Sequence, residues 1–276
     1  MGLRINTNVQ SLVAQNRLSQ TREKLEQTQG RLASGSRIVQ PQDDAAGLAI
    51  SENLRSDIRV TGQNIRNAQS GHFLLQTAEG ALNEMTNIII RMKELAVQAA
   101  SDTNGDKERS YLDNEVQTLK SEVDRISAAT SFNGRPLLTG EGGELAIQVG
   151  RMNVDDVDRF VISADLEVTT GTLGISGVDL TGADSARDAL DPLSEALDHI
   201  AQARGAIGAG ESRLNTSMNA LTQYEESISK AYSQIRDADV ALETANFAKY
   251  NILSQAGVAL LAQANASPQL ALKLLG

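Results

Sequence analysis

The sequence predicts a mostly α-helical protein, a long coiled-coil rod formed by the N- and C-terminal segments together, with a small β-hairpin region in the middle of the chain. Three observations carry this expectation. Apolar residues on heptad spacing run through the stretch from Asp191 to Ile235. Aromatic residues are only 3% of the chain and Trp is absent, which suits helices packed through small side chains better than a thick globular core. Period-two alternation of apolar residues is confined to a short region after Leu145.

The chain is organised around that C-terminal stripe. Leu193, Leu197, Ile200, Ile207, Leu214, Met218, Leu221, Ile228, Tyr232 and Ile235 follow one four-three rule, interrupted by charge only at Arg204, Glu211 and Glu225. A strict seven-residue repeat is slightly under-wound relative to a free helix and implies a left-handed supercoil with partner helices. Asp191 is expected to cap this helix and Pro192 to occupy its first position, where a missing N–H costs nothing. At ~1.5 Å per residue it makes a rod of roughly 65–70 Å, which needs partners of similar length.

Taken in order, the first helix carries Leu18, Leu25 and Leu32 every seven residues, with Ala14, Thr21 and Thr28 between them. This seam is narrow and diluted by Thr, so alone it does not offset the entropy of ordering its backbone. Gly30 to Asp44 breaks the pattern, and its two closing acids, Asp43 and Asp44, are candidate caps for the next helix. That long helix is expected from about Asp44 to Ala100. Its stripe includes Leu74, Ala78, Met85, Ile88, Met92 and Leu95, widened by Leu75, Leu82, Ile89 and Ala96, as in a helix packed against several neighbours. Ile90, Glu94 and Val97 lie off the stripe in a separate row, flanked by Arg91 and Gln98. Either it is a contact face, or it is a solvated surface with two stray apolar residues.

Ser101 to Asp106 is a turn-rich break. Leu112, Val116, Leu119, Val123 and Ile126 then mark a third helix, and Ser131 to Gly143 reads as a loop. Strand-like alternation comes next in Leu145, Ile147 and Val149, then in Phe160, Ile162 and Ala164, then in Leu166 and Val168. Asp237-Ala238-Asp239 marks a joint before a final helix that is apolar nearly all round, which predicts burial. Pro268 is expected to end it, leaving a Leu-rich tail from Leu270. Both ends are thus amphipathic helices without globular cover, expected to pair with each other and with copies of themselves.

Composition excludes several function classes. The net charge of −10 leaves no basic stripe to neutralise nucleic-acid phosphates. With no cysteines there is neither a disulfide framework nor a thiolate metal site. Residues 1–30 lack the apolar core of a signal peptide, so export without a cleaved signal is the expectation. The most apolar run, Ala256 to Ala264, is too short for membrane insertion. The two histidines, His72 and His199, have no second imidazole at ligand spacing. Asp155, Asp156 and Asp158 lack the Gly and the closing Glu of a calcium loop and read as a solvated turn. Gly205, Gly208 and Gly210 carry no phosphate-loop signature and suggest helix flexibility or close packing. No convergent catalytic set exists, so neither an enzyme nor a cofactor is expected.

The residues also carry a family resemblance over nearly the whole chain. INTN at 5–8, RLASG at 31–35, DDAAGLAIS at 43–51, NIRNAQSGHFLLQTAEG at 64–80, MKELAVQAA at 92–100, EVDRI at 122–126 and FNG at 132–134 match the N-terminal part of bacterial flagellins. AIGAGESRL at 206–214, DAD at 237–239 and ILSQAGVALLAQAN at 252–265 match the C-terminal part. His72, Phe73, the NFAKYN stretch at 246–251 and the final Gly depart from the family's usual residues. The resemblance implies a structural subunit that self-assembles into the helical flagellar filament used for swimming. The alternative is the related hook-filament junction protein.

The resemblance further implies a division into domains. Residues 1–43 and 237–276 would form an inner coiled coil, 44–136 and 182–236 a helical rod domain, and 137–181 a short variable β region. Leu18, Leu25, Leu32, Ile252, Val258, Leu261 and Leu272 would serve assembly and binding of an export chaperone. Hook-junction and filament-cap proteins and the export apparatus would be further partners. Arg91, Glu94, Leu95 and Gln98, with Glu115 on the next helix, match the face that in similar proteins contacts other subunits and the Toll-like innate receptor. Ile90 stands there in place of a usual Gln.

Overall fold

The computed structural model describes residues 7–163 and 166–275. In chain order these form helices α1 (Val9–Ser34), α2 (Ala45–Ala99) and α3 (Asp106–Ala129), then strands β1 (Ser131–Phe132), β2 (Arg135–Pro136) and β3 (Glu144–Gln148). A one-turn helix α4 (Asp155–Asp158), strand β4 (Arg159–Ser163), and helices α5 (Ala183–Asp188), α6 (Leu190–Arg236) and α7 (Val240–Leu275) complete the order. The chain divides into two compact units, Met1–Asp57 with Ser227–Gly276 and Ile58–Glu226, so the mostly helical class with a small central β region holds.

In the first unit, α1 starts where the side chain of Asn8 accepts a hydrogen bond from Ser11 N (3.1 Å), and it ends at Gly35. Gly35 sits at φ 65°, a left-handed value that glycine adopts without a Cβ penalty. The break therefore comes five residues later than Gly30 suggests, since an isolated helical Gly costs only about 1 kcal/mol. Of the two acids expected to cap α2, only Asp44 does so, accepting from Gly47 N at 2.8 Å. Asp43 instead folds the preceding turn, its carboxylate accepting from Gln40 N (3.0 Å) and Val39 N (3.1 Å), and these bonds hold its pKa below the ordinary 3.8.

The two joints of this unit are bonded to one another. Ser36 and Asp237 form an antiparallel bridge, Arg37 N donates to Arg236 O (2.7 Å), and Ala238 N donates to Gly35 O (2.9 Å). Arg236 in turn reaches Glu52 Oε1 at 3.1 Å. Asp239 Oδ1 then caps α7 by accepting from Ala241 N and Leu242 N. Helix α7 returns antiparallel along α1 and runs past Pro268 to Leu275, contrary to the stop expected there. Proline within a helix leaves the carbonyl four residues earlier without its donor.

The second unit holds the main core. Leu75, Leu82, Met85, Ile89, Met92 and Leu95 of α2 meet Val116 and Val123 of α3 and Leu193, Ile200, Ile207 and Leu214 of α6, all nearly or fully buried. The heptad stripes thus face one another as their spacing requires. The charged stripe position Arg204 is satisfied by Glu79 at 2.7 Å. Helix α6 starts earlier than predicted. The unforeseen α5 leads into it through Ala189, so Asp191 and Pro192 fall inside the first turn rather than at cap and first position.

The stretch expected as a loop from Ser131 contains a tight hairpin. β1 and β2 pair antiparallel around Asn133 (φ 52°) and Gly134 (φ 76°). Two successive positive φ values suit the strand twist, which is why Asn-Gly favours such turns. β3 and β4 pair antiparallel from Glu144↔Ser163 to Gln148↔Arg159. β3 is fastened to α2 by Asn67 Nδ2 donating to Gln148 O (3.1 Å), and the residues after it by Asn64 Nδ2 donating to Gly150 O (3.0 Å). Leu166 and Val168 form no strand of their own. Val168 N donates to Leu138 O, and Thr139 bridges Glu167. Ala164 lies outside the described residues.

Candidate functional site

Two surfaces answer to the residues singled out from sequence, one in each unit. The first is the α1–α7 pair. Leu18 is buried against α7, where a Cβ at Gly257 would lie 3.1 Å from Leu18 Cδ1, so the glycine lets the helices close. Leu25 and Leu32 are half-buried, and Thr28 is buried with its hydroxyl donating to Lys24 O at 2.8 Å. Arg31 pairs with the largely buried Glu243 at 3.3 Å.

Helix α7 does not meet the expectation of burial. Ile252 is 66% exposed, Leu260 65% and Val258 48%, while Leu261 is half-buried. One thin helix covers one side of α7, and its apolar circumference leaves the rest facing outward. The Leu272 side chain lies outside the described residues. An open groove of about 820 Å³ runs between the two helices, lined by Val13, Leu18, Leu253, Gly257 and Leu260 among others. Contiguous apolar exposure on this scale marks a surface meant to be covered.

The second surface is the off-stripe row of α2. Arg91 Nη2 lies 2.9 Å from Glu115 Oε1 on α3, and Nη1 lies 3.2 Å from Glu94 Oε2. The bond to Glu115, then that to Glu94, raises the guanidinium pKa above its ordinary value. The Arg91 charge is therefore already engaged within the chain. Gln98 is exposed, as are Ile90 and Val97. Leu95 differs from the face assigned to it, since at 1% exposure it belongs to the core and presents nothing outward.

The remaining candidates resolve into structure. Among the described residues no group of three or more His, Asp or Glu side chains could hold a metal ion, and no helix is long and apolar enough to cross a membrane. His72 accepts from Gln76 Nε2 at 3.0 Å and His199 is exposed. Asp158 corrects the reading of a solvated turn. It is buried and accepts from Val154 N at 3.1 Å, closing α4, while Asp155 pairs with Arg159. Gly210 packs closely, a Cβ there lying 3.2 Å from Leu75 Cδ1, whereas Gly205 and Gly208 face open space.

Sequence reasoning missed two residues that organise these surfaces. Arg109 is buried at the α2–α3 corner, donating to Ala99 O at 2.9 Å and Ser101 O at 3.2 Å. Asn8 binds both terminal helices, donating to Ala264 O at 2.7 Å while capping α1. Only an Arg three residues after Asp106, and an Asn just ahead of the first helical pattern, hinted at them.

Heptad helices packed around one core, with a second helix pair left apolar and open, have the features of a structural subunit built for association. Residues 5–142 match the bacterial flagellin N-terminal helical region and residues 190–275 the bacterial flagellin C-terminal helical region. A flagellin of Halalkalibacterium halodurans is 38% identical over 98% of this chain and 99% of its own length. One of Bacillus subtilis is 37% identical over 99% of this chain and 100% of its own. The crystal structure of Bacillus cereus flagellin superposes with a TM-score of 0.50 at 32% identity, covering 56% of this chain and 88% of that one. The chain belongs to the bacterial flagellin family, as a subunit that self-assembles into the flagellar filament used for motility, and these relatives do not favour the hook-junction alternative.

Proposed function

We propose that the terminal segments, 1–43 and 237–276, carry polymerisation, forming the inner coiled coil of the filament around which 44–136 and 182–236 form a second helical layer. Residues 137–181 then make the outward β region. The observation that supports this most is the exposure of Ile252, Val258 and Leu260 beside the open apolar groove between α1 and α7. Copies of the same helices are the natural cover, because their heptad seams are complementary to themselves. The role is structural and not catalytic.

The same apolar helix would need protection before assembly, so 238–276 is the proposed binding segment for an export chaperone, chiefly through Ile252, Val258, Leu261 and Leu272. The exposed Arg91–Glu94–Gln98 face with Glu115 is proposed to contact neighbouring subunits and, in a host, a Toll-like receptor. Filament-cap and hook-junction proteins would meet the subunit at the filament's two ends. Seeded assembly followed by electron microscopy tests the central claim. The full chain should elongate seeds, with amides of residues 7–40 and 238–275 exchanging fast in monomer and slowly in polymer. Filaments formed equally well without 238–276 would refute it.

A further inference from the structure

Asn8 is joined to a defect in the opposite helix. Residue 268 is proline inside α7, so the carbonyl of Ala264, four residues earlier, has no helical N–H to accept from. That carbonyl accepts instead from Asn8 Nδ2 at 2.7 Å. Through its other side-chain atom, Asn8 Oδ1 accepts from Ser11 N and starts α1. Beside this contact, Ser11 Oγ donates to Asn265 Oδ1 at 2.7 Å. A single amide thus satisfies an orphaned donor of one helix and an orphaned acceptor of the other.

We infer that Asn8 and Pro268 form a matched pair that fixes the register of α1 against α7. The seam between them is poorly suited to do so alone. Leu18, Leu25 and Leu32 repeat every seven residues against an α7 that is apolar nearly all round, so a slide of one turn, about 5.4 Å, trades one apolar contact for another. The freed Ala264 carbonyl occurs at one place only, and a slide of a turn takes it out of reach of Asn8. Asn8 is therefore a positioning residue for assembly. The inference rests on the reading that the terminal pair carries polymerisation, but register can be measured without it.

The natural chain has no cysteines, and a Cβ at Gly257 would lie 3.7 Å from Leu18 Cβ, within disulfide range. The pair Leu18→Cys with Gly257→Cys therefore reports the native register. Leu18→Cys with Leu253→Cys or Leu261→Cys reports a slide of one turn either way. Asn8→Asp is the informative perturbation, because Asp keeps the capping acceptor and removes only the donor. With Asn8 in place the native pair should cross-link in preference to both slipped pairs. In the Asn8→Asp background its rate should fall about five- to tenfold, the effect of losing one hydrogen bond, with the slipped pairs gaining. Pro268→Ala returns an N–H to the Ala264 carbonyl and removes its need for a side-chain donor. It should abolish the difference between the parental and Asn8→Asp backgrounds.

Equal cross-linking in the two backgrounds, or a Pro268→Ala effect that is the same in both, would overturn the inference. The critical concentration for assembly of the cysteine-free chains is read alongside. A register change that leaves it unmoved would count against the terminal pair as the carrier of polymerisation and would leave the register pair standing.

Discussion

Replacing Arg109 by Met tests how the α2–α3 corner is held. The guanidinium-bearing residue is 8% exposed and donates to the carbonyl of Ala99, the last residue of α2, and to that of Ser101, which also accepts from Asn104 N at 3.2 Å. Its third bond, to Asp106, reaches a side chain that is 95% exposed, so that bond adds little. Two charge-assisted bonds, reduced because water gains access once the head group is gone, give a loss of about 2–4 kcal/mol. For a cooperative unit of this size that lowers Tm by about 5–12 °C. Arg109→Lys keeps the charge but not the fork, and should recover about half of the loss. Thermal unfolding of monomer followed by circular dichroism measures both. An Arg109→Met protein melting within about 2 °C of the parent would show that the carbonyls are satisfied without the side chain.

Three further outcomes are expected. Leu25→Ala and Leu261→Ala should each slow seeded elongation, measured by light scattering, while leaving the thermal transition of residues 58–226 unchanged. Arg91→Ala removes the counter-charge from Glu94 and Glu115; monomer melting should barely change, because both pairs are exposed, while polymer dissociation temperature and affinity for the innate receptor fall together. If both stay at parental values, the Arg91 row is only solvated surface. The turn at Val39 and Gln40 should hold its amide protection down to about pH 4 and lose it below. A carboxylate whose folded pKa is depressed from 3.8 gives stability that is present above that value and lost as pH falls through the folded one. Asp43→Asn should remove that pH dependence in hydrogen-exchange measurements.

What sequence makes legible is whatever repeats. The stripes of α2, α3 and α6 can be read because burial on one face imposes a seven-residue period, and Leu82, Val123 and Leu214 lie where that period puts them. Single-residue features are harder. Asn133-Gly134 carries a hairpin signal inside a stretch of loop-like composition, and the strands beside it are only two residues long, too short to show an alternation. Asp158 looks like one more solvated acid, and only the backbone fold around Val154 turns it inward. Pro268 has the usual look of a helix stop, which fails here because a donor 256 residues away in sequence serves the carbonyl it leaves bare. For α7 the periodicity argument reaches the right chemistry and the wrong state. An apolar circumference does demand cover, but one copy of the chain does not supply it.

The clasp between Ser36 and Asp237 ties two joints that lie about 200 residues apart in sequence into one piece of backbone. Neither joint is free to change length alone. One residue added between Gly35 and Ile38 would shift the pairing of Ser36 with Asp237 and break the bonds from Arg37 N and Ala238 N, unless the crossing near Asp237 were lengthened to match. The segment from 137 to 181 is under no such constraint from the chain's ends. Length variation in descendants of this protein should therefore accumulate in the middle, and insertions at the two joints should appear only as a pair.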